Sequence, residues 1–269
     1  MEALRIVQKM VWGPWLLGLF LAVGVLCMVR LRGFPIRHIR VWWGETVGNG
    51  GKGQLLTTCT ALAATVGTGN ITGVAAALAM GGPGAVFWMW VSAFFGMATI
   101  YGEAVLAQKY KEVSEDGAVS GGPIYYIKAA FKGKLGTFMA GFFAVAIILA
   151  LGFMGNMVQS NSIGDAFYTA FGVPKIAAGI VVAAVSAFIF LGGVKRIAAI
   201  TEKLVPIMAI FYICGALIAI GMNAQNILPA LQSIFVGAFT PQAVMGGAIG
   251  ISIKEAVRFG VARGLFSNE

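Results

Sequence analysis

The sequence predicts an all-α polytopic membrane protein, and three observations carry that class. Apolar runs recur along the chain at the length of about 20 residues that one bilayer crossing needs. Hydrophobic residues make up 59% of the 269 positions and charged residues only 11%. The runs are continuous, whereas strands of a membrane β-barrel alternate apolar and polar residues. A soluble globular domain is excluded.

About seven spans follow in order, each judged by apolar length and flanking punctuation. The first covers 12–29 and is followed by four arginines and by Trp42-Trp43, an interfacial pair. Arg5 and Lys9 precede it as in a signal peptide, but the run is long and lacks a small-residue cleavage site, so it reads as uncleaved. The second covers 55–80 and turns through Gly81-Gly82-Pro83-Gly84 into the third, 85–107. A polar loop ends in Gly121-Gly122-Pro123 and a short segment, 124–131. The fourth covers 135–157 and closes on Asn156 and Gln159, which either line a path or cap the helix. Pro174 opens the fifth, 175–192, and the sixth covers 204–222. The seventh starts near Leu231, is interrupted, and turns amphipathic over 251–266.

Lysine and arginine set the orientation. With the N-terminus outside, the inner face collects the basic residues from Arg30 to Lys52, then Lys109, Lys111, Lys128, Lys132, Lys134, Lys195, Arg196, Lys203, Lys254, Arg258 and Arg263. The outer face keeps Arg5, Lys9 and Lys175. The formal charge of +9 therefore reports topology, not nucleic-acid binding.

The second span carries the main candidate site. At 1.5 Å per residue its roughly 26 residues would make a helix of about 39 Å, longer than a hydrocarbon core of about 30 Å. Gly67, Gly69 and Gly73 weaken its middle, and Asn70 tolerates left-handed backbone. A break there exposes carbonyls on one side and N–H groups on the other, which lipid tolerates only inside protein or along a cavity. A second half-helix starting near Ile71 would offer its positive end to a carboxylate, and the freed carbonyls would suit a small cation. No buried base stands in the spans to neutralise that carboxylate. Close packing is the competing reading, since Gly69 and Gly73 have the four-residue spacing of helix contacts. Asn70, Thr68 and Thr72 beside them favour a site, because polar groups in lipid need partners.

Thr240-Pro241-Gln242 and Gly246-Gly247 interrupt the seventh span in the same way. Paired breaks in corresponding positions point to a transporter site. Glu103, the acid inside a span, is a functional candidate but reads more simply as a helix-end carboxylate that pairs with Lys109 or snorkels to the interface. Cys27, Cys59 and Cys214 read as small buried hydrophobes, and His38 as a solvated loop residue. No P-loop, metal cluster or nucleophile–histidine pairing stands out, so an enzyme is not expected.

The strings "VGTGNITGVAAALAMGGPGAVFWMW", "YGEAVLAQKYKE", "GGPIYYI", "NMVQSNSI", "GGVKRIAAITEKLVPIMA" and "GVARGLFSNE" resemble, in order, those of the sodium:alanine symporter family. The likeness runs from about Trp12 onward. It implies symport of alanine, glycine or a similar small neutral amino acid into the cell with Na⁺, in some members H⁺, across the cell membrane. No cofactor is implied beyond the coupling ion. The implied fold is a LeuT-type inverted repeat with one extra N-terminal helix. Residues 1–50 would hold that helix and its linker, 51–222 the first five-helix repeat, and 223–269 the start of the second. Thr68 and Gly69 N–H groups would hold the substrate carboxylate, with Asn70, Thr72, Gln159, Gln242, Gly246 and Gly247 around it. Carbonyls of Ala63, Thr65 and Val66, with the Asn70 side chain, would bind Na⁺. Family members continue past Ser267-Asn268-Glu269, so the chain is expected to be a truncated portion, core helices 1–6. A proton-coupled transporter of the same fold, a passive pore and a non-transporting fragment are the alternatives.

Overall fold

The computed structural model describes residues 13–44, 59, 61–62, 65–115, 119–240 and 253–266. The chain divides into two compact units: Met1–Met97 with Ala183–Glu269, and Ala98–Val182.

In the first unit, helix α1 (Pro14–Arg30) begins on a proline, whose missing N–H costs nothing in a first turn, and ends on a cation that suits the dipole. Gly33, at φ 68°, turns the chain into α2 (Phe34–Arg37) and α3 (Ile39–Trp43). His38, between them, stacks on Phe34 with ring centroids 4.4 Å apart. After the interrupted second span, described below, α4 (Val74–Gly81) ends at Gly82, φ 67°, and Pro83 leads into α5 (Gly84–Lys109). Only glycine adopts that φ without strain, so the expected turn forms where the sequence placed it.

The core of this unit is made of small residues. Ala77, Ala85, Ser92, Ala238, Ala256 and Val261 are buried, while Trp15, Phe211 and Phe239 are exposed. Lipid is as apolar as leucine, so spanning helices associate through close backbone approach rather than large side chains. The last described helix, α12 (Ile253–Phe266), packs on α4, α1 and the helix before it. A Cβ on Gly264 would lie 2.7 Å from the Ser92 Cβ, and Ser92 Oγ donates to the Val261 carbonyl at 3.4 Å. A Cβ on Gly84 would collide with the Gly237 carbonyl, which is how α5 meets its neighbour. Trp88 Nε1 donates to the Ala238 carbonyl at 3.3 Å, and Phe87 sets its edge against Phe235 and Phe239.

In the second unit, a two-residue hairpin of β1 (Glu112–Val113) and β2 (Val119–Ser120) pairs antiparallel, Glu112 opposite Ser120. Helix α6 (Pro123–Ala130) packs on α7 (Lys134–Ile147) through a turn at Gly133, φ 80°. Helix α7 runs through a π-helical stretch, Ile148–Gly155, into α8 (Asn156–Phe171). Gly172, φ 69°, closes α8, and Lys175 of α9 (Lys175–Phe190) pairs with Asp165.

The chain then continues in α10 (Gly193–Met222), a 3₁₀ turn (Ala224–Asn226), α11 (Ile227–Phe239) and, beyond the undescribed segment, α12. Among the described residues, Gly84–Lys109, Lys134–Phe171 and Arg196–Met222 are long and apolar enough to cross a membrane. Pro14–Arg30, Gly69–Gly81 and Lys175–Phe190 are shorter apolar helices. The apolar helices are those of an all-α membrane protein.

Three sequence expectations change. The fourth span does not end at 157. It continues to Phe171, so Asn156 and Gln159 lie within a 38-residue helix and cap nothing. The π stretch carries the continuity, and the Asn156 amide donates to the Gly152 carbonyl at 3.1 Å. Of the cysteines only Cys59 is buried, Cys27 being half-buried and Cys214 exposed on an apolar helix face. Lys109 sits over the Tyr110 ring, 5.4 Å from its centroid, and an ion pair with Glu103 is not among those of the described residues.

Candidate functional site

The second span is broken. Helical backbone at Leu62 and Thr65 stops, Val66–Thr68 is irregular, and a π-helical turn, Gly69–Gly73, leads into α4. The second half therefore starts at Gly69, two residues before the expected Ile71. Gly67 and Gly69 raise the cost of continuous helix, and the turn hydrogen bonds replace it. Asn70 N–H donates to the Gly67 carbonyl at 3.0 Å, and Ile71 and Thr72 N–H both donate to the Thr68 carbonyl.

The side chains close the break locally. Asn70 Nδ2 donates to the Thr65 carbonyl at 3.1 Å, spanning the irregular segment. Thr65 Oγ1 and Thr72 Oγ1 donate back along their own helices, to Ala61 and Thr68 carbonyls, each at 2.9 Å. Thr72 is exposed and its hydroxyl is engaged in that bond. Thr68 Oγ1 differs: it is buried, with no hydrogen-bond partner among the described residues. A buried hydroxyl without a partner is costly, and a water, an ion or a ligand group would satisfy it.

A third element enters the break. Arg263, on the last full turn of α12, reaches the two glycines. A Cβ on Gly73 would lie 2.7 Å from Arg263 Nη1, and one on Gly69 would lie 3.3 Å from Nη2. Arg263 Nη2 donates to Asn70 Oδ1 at 3.0 Å. A side chain at either position would push the guanidinium aside, more at Gly73 than at Gly69. The absence of a buried base, expected from the sequence, is thereby corrected: a permanent cation stands at the break.

Sequence reasoning missed Arg263 by counting it with the basic residues of the inner face. The signal was present. Ala256, Gly260 and Gly264 repeat every four residues, the spacing of a helix contact face. Gly260 and Gly264 pack on α5 at Ala85, Trp88 and Ser92, and Arg263 beside them reaches the neighbouring Gly69–Gly73 turn.

The remaining candidates are placed as follows. Thr65, Thr68, Gly69, Asn70 and Thr72 come together at the break, and Val66 stands beside them with its side chain exposed. Gln159 is exposed on α8, in the other unit. Ala63, Gln242, Gly246 and Gly247 lie outside the described residues.

As an electrostatic object the break is two-sided. The start of the Gly69–Gly81 half-helix and the Arg263 guanidinium both favour an anion. The Thr65 carbonyl and Asn70 Oδ1 are oxygen donors of the kind hard cations take.

A model of the sodium:alanine symporter family matches residues 1–269. The chain is 43% identical over 272 residues to a protein named sodium/alanine symporter AgcS from Methanococcus maripaludis, covering 98% of this chain and 59% of that one. It is 38% identical over 270 residues to the probable sodium/glutamine symporter GlnT of Bacillus subtilis, covering 98% of this chain and 55% of that protein. It is 38% identical to the amino-acid carrier protein AlsT of the same organism, covering 99% and 56%. The chain thus spans between half and three fifths of the length of these curated relatives. With a broken, glycine-lined helix and the family match over every residue, the chain belongs to the sodium:alanine symporter family.

Proposed function

We propose that the protein takes part in Na⁺-coupled symport of a small neutral amino acid, alanine or glycine, into the cell. The reading joins the family match to the break at Val66–Thr68, and the buried Thr68 hydroxyl, without a partner among the described residues, is the observation that carries it. Such a hydroxyl needs a partner, and a bound carboxylate would supply one.

In this reading the substrate carboxylate meets the N–H groups of Thr68 and Gly69 and the Thr68 hydroxyl. Asn70, Thr72, Gln242, Gly246 and Gly247 complete the substrate set. Na⁺ takes the Ala63, Thr65 and Val66 carbonyls and Asn70 Oδ1. The ion's charge then favours the carboxylate next to it, and that mutual attraction couples the two. The core is of the LeuT type, with 1–50 as an extra helix and linker, 51–222 as the first repeat and 223–269 opening the second, in a cell membrane with the N-terminus outside. The names of two relatives, a sodium/alanine symporter and a probable sodium/glutamine symporter, support a neutral amino acid as the substrate.

The test is uptake by the intact protein in liposomes. Radiolabelled alanine or glycine should accumulate only with an inward Na⁺ gradient. Uptake indifferent to Na⁺ would overturn the reading.

A further inference from the structure

Two hydrogen bonds orient the Asn70 amide. Its Nδ2 faces a carbonyl, Thr65 O, and its Oδ1 faces a guanidinium, Arg263 Nη2. Flipping the amide would set a donor against a donor and an acceptor against an acceptor. The carboxamide oxygen is therefore turned toward Arg263. That oxygen is the same atom that the Na⁺ site needs, and its occupant in this structure is a cation that never loses its proton.

We propose that Arg263 is a tethered cation that competes with Na⁺ for Asn70 Oδ1, so that ion binding requires the guanidinium to leave the break. The inference rests on the Na⁺-site reading above. Two observations and one electrostatic argument support it. The two glycines, Gly69 and Gly73, leave the guanidinium room at the break, with Nη1 2.7 Å from where a Gly73 Cβ would stand. The bond to Asn70 joins a charged donor to a neutral acceptor, and such bonds are among the stronger ones. Two unit cations sharing one oxygen at a few ångströms repel strongly in a partly buried site. Arg263 is also carried by α12, directly after the segment that begins with the second break, Pro241. Displacing its side chain gives ion binding at the first break a means of biasing the helix that follows the second.

The consequence is an affinity cost. Na⁺ binds only the fraction of molecules in which Arg263 has left Asn70, so the apparent affinity falls by that fraction. Arg263→Gln removes the charge and should tighten Na⁺ binding by about tenfold or more, given the strength of charged hydrogen bonds. Arg263→Lys keeps a cation and should retain most of the competition.

The experiment is equilibrium binding of ²²Na⁺ to the purified, intact protein, without amino acid, in a potassium or choline background. Tightening in Arg263→Gln with little change in Arg263→Lys supports the proposal. Unchanged or weaker Na⁺ binding in Arg263→Gln overturns it, and if alanine binding is lost at unchanged Na⁺ affinity, Arg263 serves the carboxylate instead. No saturable Na⁺ binding in the wild type or in Arg263→Gln sinks the ion-site reading itself. Should the variants fail to fold, the wild type still answers: phenylglyoxal modification of Arg263, followed by mass spectrometry, should rise with Na⁺ over K⁺. No rise overturns the competition.

Discussion

Arg263 and Asn70 lie 193 residues apart in sequence and 3.0 Å apart in space, guanidinium to carboxamide oxygen. The contact joins the two elements that the sequence marks as interrupted: the second span, and the helix that follows the Pro241 break. It also fixes the Asn70 amide across Val66–Thr68, because the same side chain holds the Thr65 carbonyl. The break is thus a hydrogen-bonded structure rather than a defect.

Gly69→Leu should abolish amino-acid binding while leaving membrane insertion intact. Its Cβ would stand 3.3 Å from Arg263 Nη2, and the longer side chain would fill the space next to the half-helix start. Binding of labelled alanine to detergent-purified protein, with expression and monodispersity as controls, reads this directly.

Gly264→Leu should act through packing. A Cβ there meets the Ser92 Cβ at 2.7 Å and the Met89 carbonyl at 3.3 Å, and backbone cannot swing aside. Overpacking of this kind costs about 1–3 kcal/mol. The thermal midpoint should fall, and Gly264→Ala should lower it less. An unchanged midpoint would mean that α12 does not dock on α5 as described.

Much of this was legible beforehand. Continuous apolar runs gave the helices, Gly82-Pro83 gave the turn, and Gly67 with Gly69 gave the break, because each rests on local backbone chemistry. The π turn was not legible, since it shifts the half-helix start by a mere two residues and depends on the Thr68 carbonyl accepting more than one donor. The extent of the fourth span was lost because polar Asn156 and Gln159 mimic a helix end. Arg263 was missed because topology counting treats every arginine as a surface charge, and only the packing of α12 on α4 brings it to Gly73.

The Lys175–Asp165 pair should matter little. Both side chains are about half exposed, and exposed ion pairs contribute about 0–1 kcal/mol. Asp165→Asn should lower the midpoint by no more than about 2–4 °C in moderate salt, and a larger loss of stability would show the pair to be shielded.

Tyr126, on α6 outside the spans, should titrate above its ordinary range. Burial pushes its phenol up, and the Glu103 carboxylate adds to this. The folded-state value exceeds the unfolded one, so the stabilisation is full below about pH 10 and is lost as pH rises through the folded value. Ultraviolet titration of wild type against Tyr126→Phe isolates this phenol. A difference spectrum titrating at or below the ordinary value would contradict the placement of α6.

The central claim is that one break binds both a cation and a carboxylate. Linkage makes this measurable in a single experiment, because each ligand must change the other's affinity by the same factor. Alanine affinity should rise with Na⁺ concentration in the purified protein, and Na⁺ affinity should rise with alanine by an equal factor, both effects vanishing in Asn70→Ala. Alanine affinity that is flat from zero to saturating Na⁺ would contradict the account.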